Sequence, residues 1–309
     1  MTGQPPTQLP PGFTRFDHGS LQCTVVSDGI IRLGPARESF PNAEPAEINE
    51  LLTRHYLPTD AVHLNQNVLV VNTGDTLVMF DSGVGTDPEL GLKTFGDEAG
   101  LLIRNLRAAG IEPEQIDLVA LTHAHPDHAW GLADGAGAPL FPNASLAIGR
   151  ADYRYWTDLS RVPDAPTEHQ QDQIKGAHKN LTAYDSRLIL LDGGEQIAPG
   201  IRAIATPGHS PGHMVYEITS GDQTMICWGD LCHHQVLLLE HPEWNFMFDH
   251  DGTGATKQRV RIYDYVDANR YAVFGYHFPF PGHGHLRRDP TGFTWIPSDL
   301  PRRLPERSK

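Results

Sequence analysis

With 309 residues, 39% of them hydrophobic and 20% charged, the chain is long enough to bury a substantial core and too apolar to be disordered. Thirty-eight acidic against 24 basic side chains leave a formal charge of −14, which repels polyphosphates; no basic patch offsets it, so neither RNA nor DNA is expected as a partner. No apolar run reaches the ~20 residues of a membrane span, no basic-then-apolar leader opens the sequence, and three scattered cysteines (Cys23, Cys227 and Cys232) suit neither a disulfide framework nor a thiolate zinc site. The expectation is a cytoplasmic protein with no membrane contact.

In chain order, prolines at 5, 6, 10 and 11 mark residues 1–19 as an extended N-terminal arm. A strand over 21–29 and a short helix over 45–56, opened by Pro45, come next. Strands at 67–74 and 76–85 follow, joined by a hairpin turn in "NTGD". Leu102, Leu106 and Ala109 fall on one face of an amphipathic helix over 98–110, with Gly110 as its stop. Residues 116–123 read as a buried strand, and the polar, proline-broken stretch 158–173 as a surface loop that can border a pocket. Strands over 187–194, 200–209, 213–219 and 223–230, a helix over 253–268 and a last strand over 270–277 complete the body. Prolines at 297, 301 and 305 make 297–309 a flexible tail. Strand runs with intervening helices in each half predict an α/β fold, two sheets packed face to face with helices outside, as a single domain over 20–296.

The candidate chemistry lies where these strands end. His123, His125, Asp127 and His128 follow "LVAL"; His209 follows "IRAIATPG", Asp230 follows "MICWG" and His277 follows "AVFGY". Imidazole and carboxylate are ligands for zinc, manganese, cobalt or iron, and a carboxylate can bridge two cations. Seven such ligands with one bridging suit two divalent ions with positions left for a shared water. A histidine-rich surface loop would explain 123–128 alone, but not the ordered histidines and aspartate downstream.

"FDSGVG" (80–85), "THAHPDH" (122–128), "TPGHSPGH" (206–213) and "WGD" (228–230) resemble, in that order, the metallo-β-lactamase-fold hydrolases, over roughly residues 20–285. "MFDHDGTGATKQR" (247–259) and "YHFPFPGHGHL" (276–286) are similar to the methyl parathion hydrolase subgroup, which lies close to several lactonases. The resemblance implies a four-layer αβ/βα sandwich. It places one ion on His123, His125 and His209 and the other on Asp127, His128 and His277, with Asp230 bridging and zinc the first choice of metal. The nucleophile it implies is a bridging hydroxide; Asp127 can orient it or accept the proton of the water from which it forms. Asp81 then fixes a ligand histidine, although an aspartate there also serves as a strand-end turn; His213 is either such a partner or a structural histidine. A homodimer is expected on the same ground.

Aromatic residues crowd the motifs. Tyr155, Trp156, Phe246 and Phe278, with His234 beside the bridging aspartate, are candidates for the substrate pocket, the alternative for each being the core. A pocket lined this way takes a small, neutral, apolar substrate: an aryl ester or a lactone of the acyl-homoserine type, or alternatively an organophosphate triester. A reading from another class is a mononuclear iron dioxygenase acting on a persulfide, which uses a similar histidine framework.

Overall fold

Residues 12–300 are described by a computed structural model. The apolar run at 68–71 shows how the layers arise. Leu69 and Val71 face one core and Val68 and Val70 another, so the strand is buried on both sides and reads as continuously hydrophobic. The first sheet runs in chain order: β1 (Phe13–His18), β2 (Leu21–Leu33), β3 (Val62–Asn72), β4 (Leu77–Phe80), β5 (Leu118–Ala120), β6 (Ser145–Gly149) and β7 (Leu188–Leu191). Its pairs are antiparallel as far as β4 and parallel from β4 to β7. The second sheet holds β8 (Gln196–Ala198), β9 (Ile201–Ala205), β10 (Met214–Ser220), β11 (Gln223–Cys227), β12 (Ala272–Phe274), β13 (His283–Arg288) and β14 (Phe293–Pro297), with only β11 and β12 parallel.

The sheets meet through Val25, Leu69 and Phe80 on one side and Tyr216, Ile218 and Met225 on the other. Helix α1 (Pro45–Arg54) precedes β3, and α2 (Leu102–Ala108), α3 (Arg150–Thr157) and α4 (Glu168–Thr182) follow β4 and β6. Leu102 and Leu106 of α2 cover the outer face of the first sheet, and Gly110, at φ +74°, lies just past the helix end as anticipated. Ile262, Tyr263 and Val266 of α5 (Gly252–Asn269) cover Val215, Ile226 and Val273 of the second. The result is the expected four-layer αβ/βα sandwich, its two sheets of seven strands each lying between helices.

Several expectations are corrected. Residues 13–18 are not part of an arm: β1 pairs with β2 from Phe13↔Val26 to His18↔Leu21, and Phe16 and His18 turn inward on alternate positions. Residues 1–11 and 301–309, parts of the expected arm and tail, lie outside the described residues. Within the expected tail, Pro297 ends β14, paired with Gly284. The stretch 158–173 is no loop. A 3₁₀ segment (Leu159–Asp164) leads to Thr167, whose hydroxyl accepts from Gln170 N and opens α4. The buried face of α4 is Ile174, Gly176, Ala177, Asn180 and Leu181, too few of them large and apolar to outweigh its polar composition.

Candidate metal centre

The seven proposed donors all lie where the chain leaves a strand. β5 ends at Ala120, and three residues later the chain enters 123–128. Pro126 opens a single helical turn (Pro126–Ala129) that sets Asp127 and His128 one residue apart on its first positions. His209 follows β9, and Gly208 before it has φ +152°; a Cβ there would stand 2.2 Å from Ala255 N, so only glycine lets this loop lie against the start of α5. Asp230 lies in a 3₁₀ turn after β11, and His277 follows β12.

These loops gather the donors into two clusters. Ligand atoms of His123, His125, His209 and Asp230 lie within 4.8 Å of one another, as do those of Asp127, His128 and His277. Asp230 faces both. Its Oδ1 is 3.0 Å from His128 Nε2 and 3.1 Å from His277 Nε2, while its Oδ2 is 3.3 Å from His209 Nε2 and 3.7 Å from His123 Nε2.

The outer ring nitrogens are committed elsewhere. His209 Nδ1 donates to Asp249 Oδ1 and His128 Nδ1 to Asp81 Oδ2, each at 2.9 Å. His277 Nδ1 donates to Asn65 O at 3.0 Å, and His123 Nδ1 to Thr122 Oγ1 at 3.0 Å, whose hydroxyl donates to Asp81. Four histidines are therefore held with Nε2 facing inward, the orientation that metal ligation requires. His125 is reversed: its Nδ1 stands 2.9 Å from His209 Nε2. His128 Nε2 and Asp230 Oδ1 are buried without a hydrogen-bond partner, a cost of ~1–3 kcal/mol for each such atom. Converging lone pairs, orphaned buried donors and anionic oxygens are the set that two divalent cations satisfy.

The electrostatics agree. Burial holds His123 and His125 well below the usual imidazole range, so both are free bases. Burial opposes charge on Asp230 too, but the facing imidazoles, His128 foremost, outweigh it and keep the carboxylate well below its ordinary range. At His128 the order reverses: burial is outweighed by Asp230, Asp127 and Asp81, which raise it well above normal. A centre that retains protons this way attracts cations.

Further residues fix the loops. Asp152, fully buried, accepts from Ala124 N (2.7 Å), Gly212 N (2.7 Å) and Ser210 Oγ (2.5 Å), tying the His123–His125 loop to that of His209. Arg259 of α5 donates to Leu231 O (2.8 Å) and Trp244 O (2.7 Å) and lies 3.7 Å from Asp249, clamping the Asp230 turn to 242–249. Sequence reasoning gave these residues no role. Asp249 and Arg259 stood inside a quoted motif without a function; Asp152 carried no signal. Asp81 has φ +63° and accepts from His128 Nδ1 at 2.9 Å. His213 sits behind Asp230, its Nε2 accepting from Asp230 N at 3.2 Å.

A cavity of about 280 Å³ opens above the donors. Tyr155, Trp156 and Phe246 line it as anticipated, with Leu33, Leu64 and Phe248, and no lysine or arginine does so among the described residues. Two expected pocket residues do not. Phe278 is fully buried, edge-on to Trp228 and Trp295, and belongs to the core. His234 accepts at Nδ1 from Val236 N and Leu237 N and lines a separate cavity of about 170 Å³; His233, its neighbour, lines both cavities.

Residues 62–275 match the model of a family described as the Metallo-beta-lactamase superfamily. An N-acyl homoserine lactonase from Bacillus sp is 28% identical over 212 residues, and one from Bacillus cereus 25% over 205; each alignment covers 66% of this chain and 66% of the relative. The chain thus matches just under two thirds of their length. Among solved structures, AidC, described as a dizinc quorum-quenching lactonase in complex with a product, superposes with a TM-score of 0.86 at 28% identity, covering 94% of this chain and 99% of that one. The hydrolase AbOPH gives the same score and identity over 95% and 100%.

Proposed function

Because this chain belongs to the metallo-β-lactamase superfamily, we propose that it is a hydrolase dependent on two divalent metal ions, acting on small neutral esters or lactones, those of the N-acyl homoserine type foremost. The observation that carries the reading is Asp230, one oxygen toward each donor cluster, on the floor of an apolar cavity. His123, His125 and His209 would hold one ion and Asp127, His128 and His277 the other, with Asp230 facing both; zinc would be the metal, as in the dizinc AidC. When bound, such a pair acidifies a shared water and polarises the substrate carbonyl.

The chain's residues do the rest. Burial works against charge on Asp127, but His128 and His277 outweigh it and bring its carboxyl to about 2, so it is ionised at neutral pH. Partly exposed at the cavity floor, it orients the attacking water and passes the proton to the departing alkoxide. Leu33, Leu64, Trp156, Phe246 and Phe248 enclose the acyl portion and exclude water. No lysine or arginine lines the cavity among the described residues, which favours neutral substrates over carboxylated ones.

The second cluster supports two ions rather than the single iron of a persulfide dioxygenase. The phosphotriester alternative fits the same apolar cavity, but no observation favours it over the lactone. A cytoplasmic setting belongs to this proposal, supported by three buried, unpaired cysteines. So does the homodimer, which a monomer in light scattering at micromolar concentration removes.

The test is a panel on metal-reconstituted protein: N-acyl homoserine lactones of increasing acyl length, aryl esters and a phosphotriester. The lactones give the highest kcat/KM. Cleavage of a thioester with none of these overturns the substrate assignment.

A further inference from the structure

We propose that His233 is an additional metal ligand, donating through Nε2 beside Asp230 and His277, and that it makes the two ion sites unequal. The inference rests on the two-ion reading above and extends it to a residue outside the seven donors.

His233 is 1% exposed, and neither of its ring nitrogens has a hydrogen-bond partner. Its Nε2 stands 2.9 Å from Asp230 Oδ2 without the alignment of a hydrogen bond. A buried imidazole whose nitrogens make no aligned hydrogen bond is costly, and the polar group close to its Nε2 is the Asp230 carboxylate. Ligand atoms of Asp230, His233 and His277 lie within 4.8 Å of one another, as close as those within the two clusters already described.

The way the ring is held points the same way. His123, His128, His209 and His277 are each oriented by a hydrogen bond at Nδ1. His233 is oriented by stacking instead: its ring lies 3.8 Å from that of Phe246 at 24°, and 5.5 Å from that of His277 at 16°. Packing thus aims Nε2 at the centre without tying up the other nitrogen, a placement that suits a Lewis acid beside Asp230.

The consequence is asymmetry. His233 shares its group with Asp230 and His277 alone, so it adds a donor beside His277 that the His123, His125 and His209 cluster lacks. That unequal supply of donors distinguishes the two ion sites.

The test compares the wild-type chain with His233→Phe, which keeps a ring to stack on Phe246 and removes both nitrogens. Metal-free protein is titrated with Co²⁺, followed by visible absorption and by competition with a chelator. The wild type binds two equivalents. In the variant one equivalent binds more than about 100-fold more weakly, beyond the ~10–100-fold typical of partners that only orient a ligand, and the absorption band changes shape. Should the phenylalanine variant not fold, His233→Ala reports the same quantities. Two ions bound within that 100-fold margin, or a superimposable spectrum, overturn the inference while leaving the two-ion reading intact. Fewer than two ions in the wild type defeats that reading, and the inference with it.

Discussion

At the floor of the cavity, five of the seven proposed donors are buried, and Asp81, Asp249 and Thr122 hold the ring nitrogens of three of them. At its rim, Met247 is 48% exposed and Phe248 40%, and both contribute surface rather than directed bonds. The floor is a network of directed contacts among buried groups, so a single change propagates. The rim is a packing surface, where a change is graded by area. Chemistry is set by the first and substrate choice by the second.

Breaking the floor at its centre has the largest effect. Asp230→Ala removes the group shared by both clusters and lowers kcat/KM more than about 1,000-fold, beyond the ~10–100-fold loss for an orienting partner, with metal content falling below two per chain. One step outward, Asp81→Asn or Asp249→Asn costs ~10–100-fold in metal affinity, read by chelator competition. At the rim, Phe248→Ala raises KM for long-chain lactones by roughly 5–10-fold, because the ring is only partly buried, and leaves kcat for short esters within about twofold. A rim variant that lost metal, or an Asp81 variant that altered only chain-length preference, would break the distinction.

Asp28 sharpens the comparison from outside both regions. It accepts from Val84 N and Leu102 N, and burial pushes its carboxyl up to about 7. A folded-state value above the unfolded ~3.8 means that its contribution is fully present below pH ~4 and is lost as pH rises through 7. About three units at ~1.4 kcal/mol each put the loss at roughly 4 kcal/mol by pH 8. Denaturant melts of metal-free wild type and Asp28→Asn should show the variant gaining relative stability from pH 4.5 to 8, with turnover at pH 7 little changed. The opposite trend would contradict burial as the cause.

Legibility in the sequence followed the range of each interaction. His123, His125, Asp127 and His128 share one turn, and His209, Asp230 and His277 each end an apolar strand, so all seven stood out locally. Asp152 was silent because its partners Ala124 and Gly212 are 28 and 60 residues away. His233 and His234 are adjacent on an irregular turn, where no period says which one faces the cavity; the structure turns His233 to Asp230 and uses His234 to accept from Val236 N and Leu237 N. Phe278 misled because an aromatic beside a ligand can face the core as readily as the pocket. β1 was hidden by the prolines preceding it, and α4 by a buried stripe of few residues.

The central claim is that two ions, joined through Asp230, act together on a neutral lactone. Metal-free protein titrated with Zn²⁺ while the hydrolysis of an N-acyl homoserine lactone is followed tests it most directly. Turnover that reaches its maximum only at two equivalents per chain, and stays absent in Asp230→Ala at any zinc concentration, is the predicted result. Full turnover at one equivalent, or lactone hydrolysis independent of metal, would contradict it.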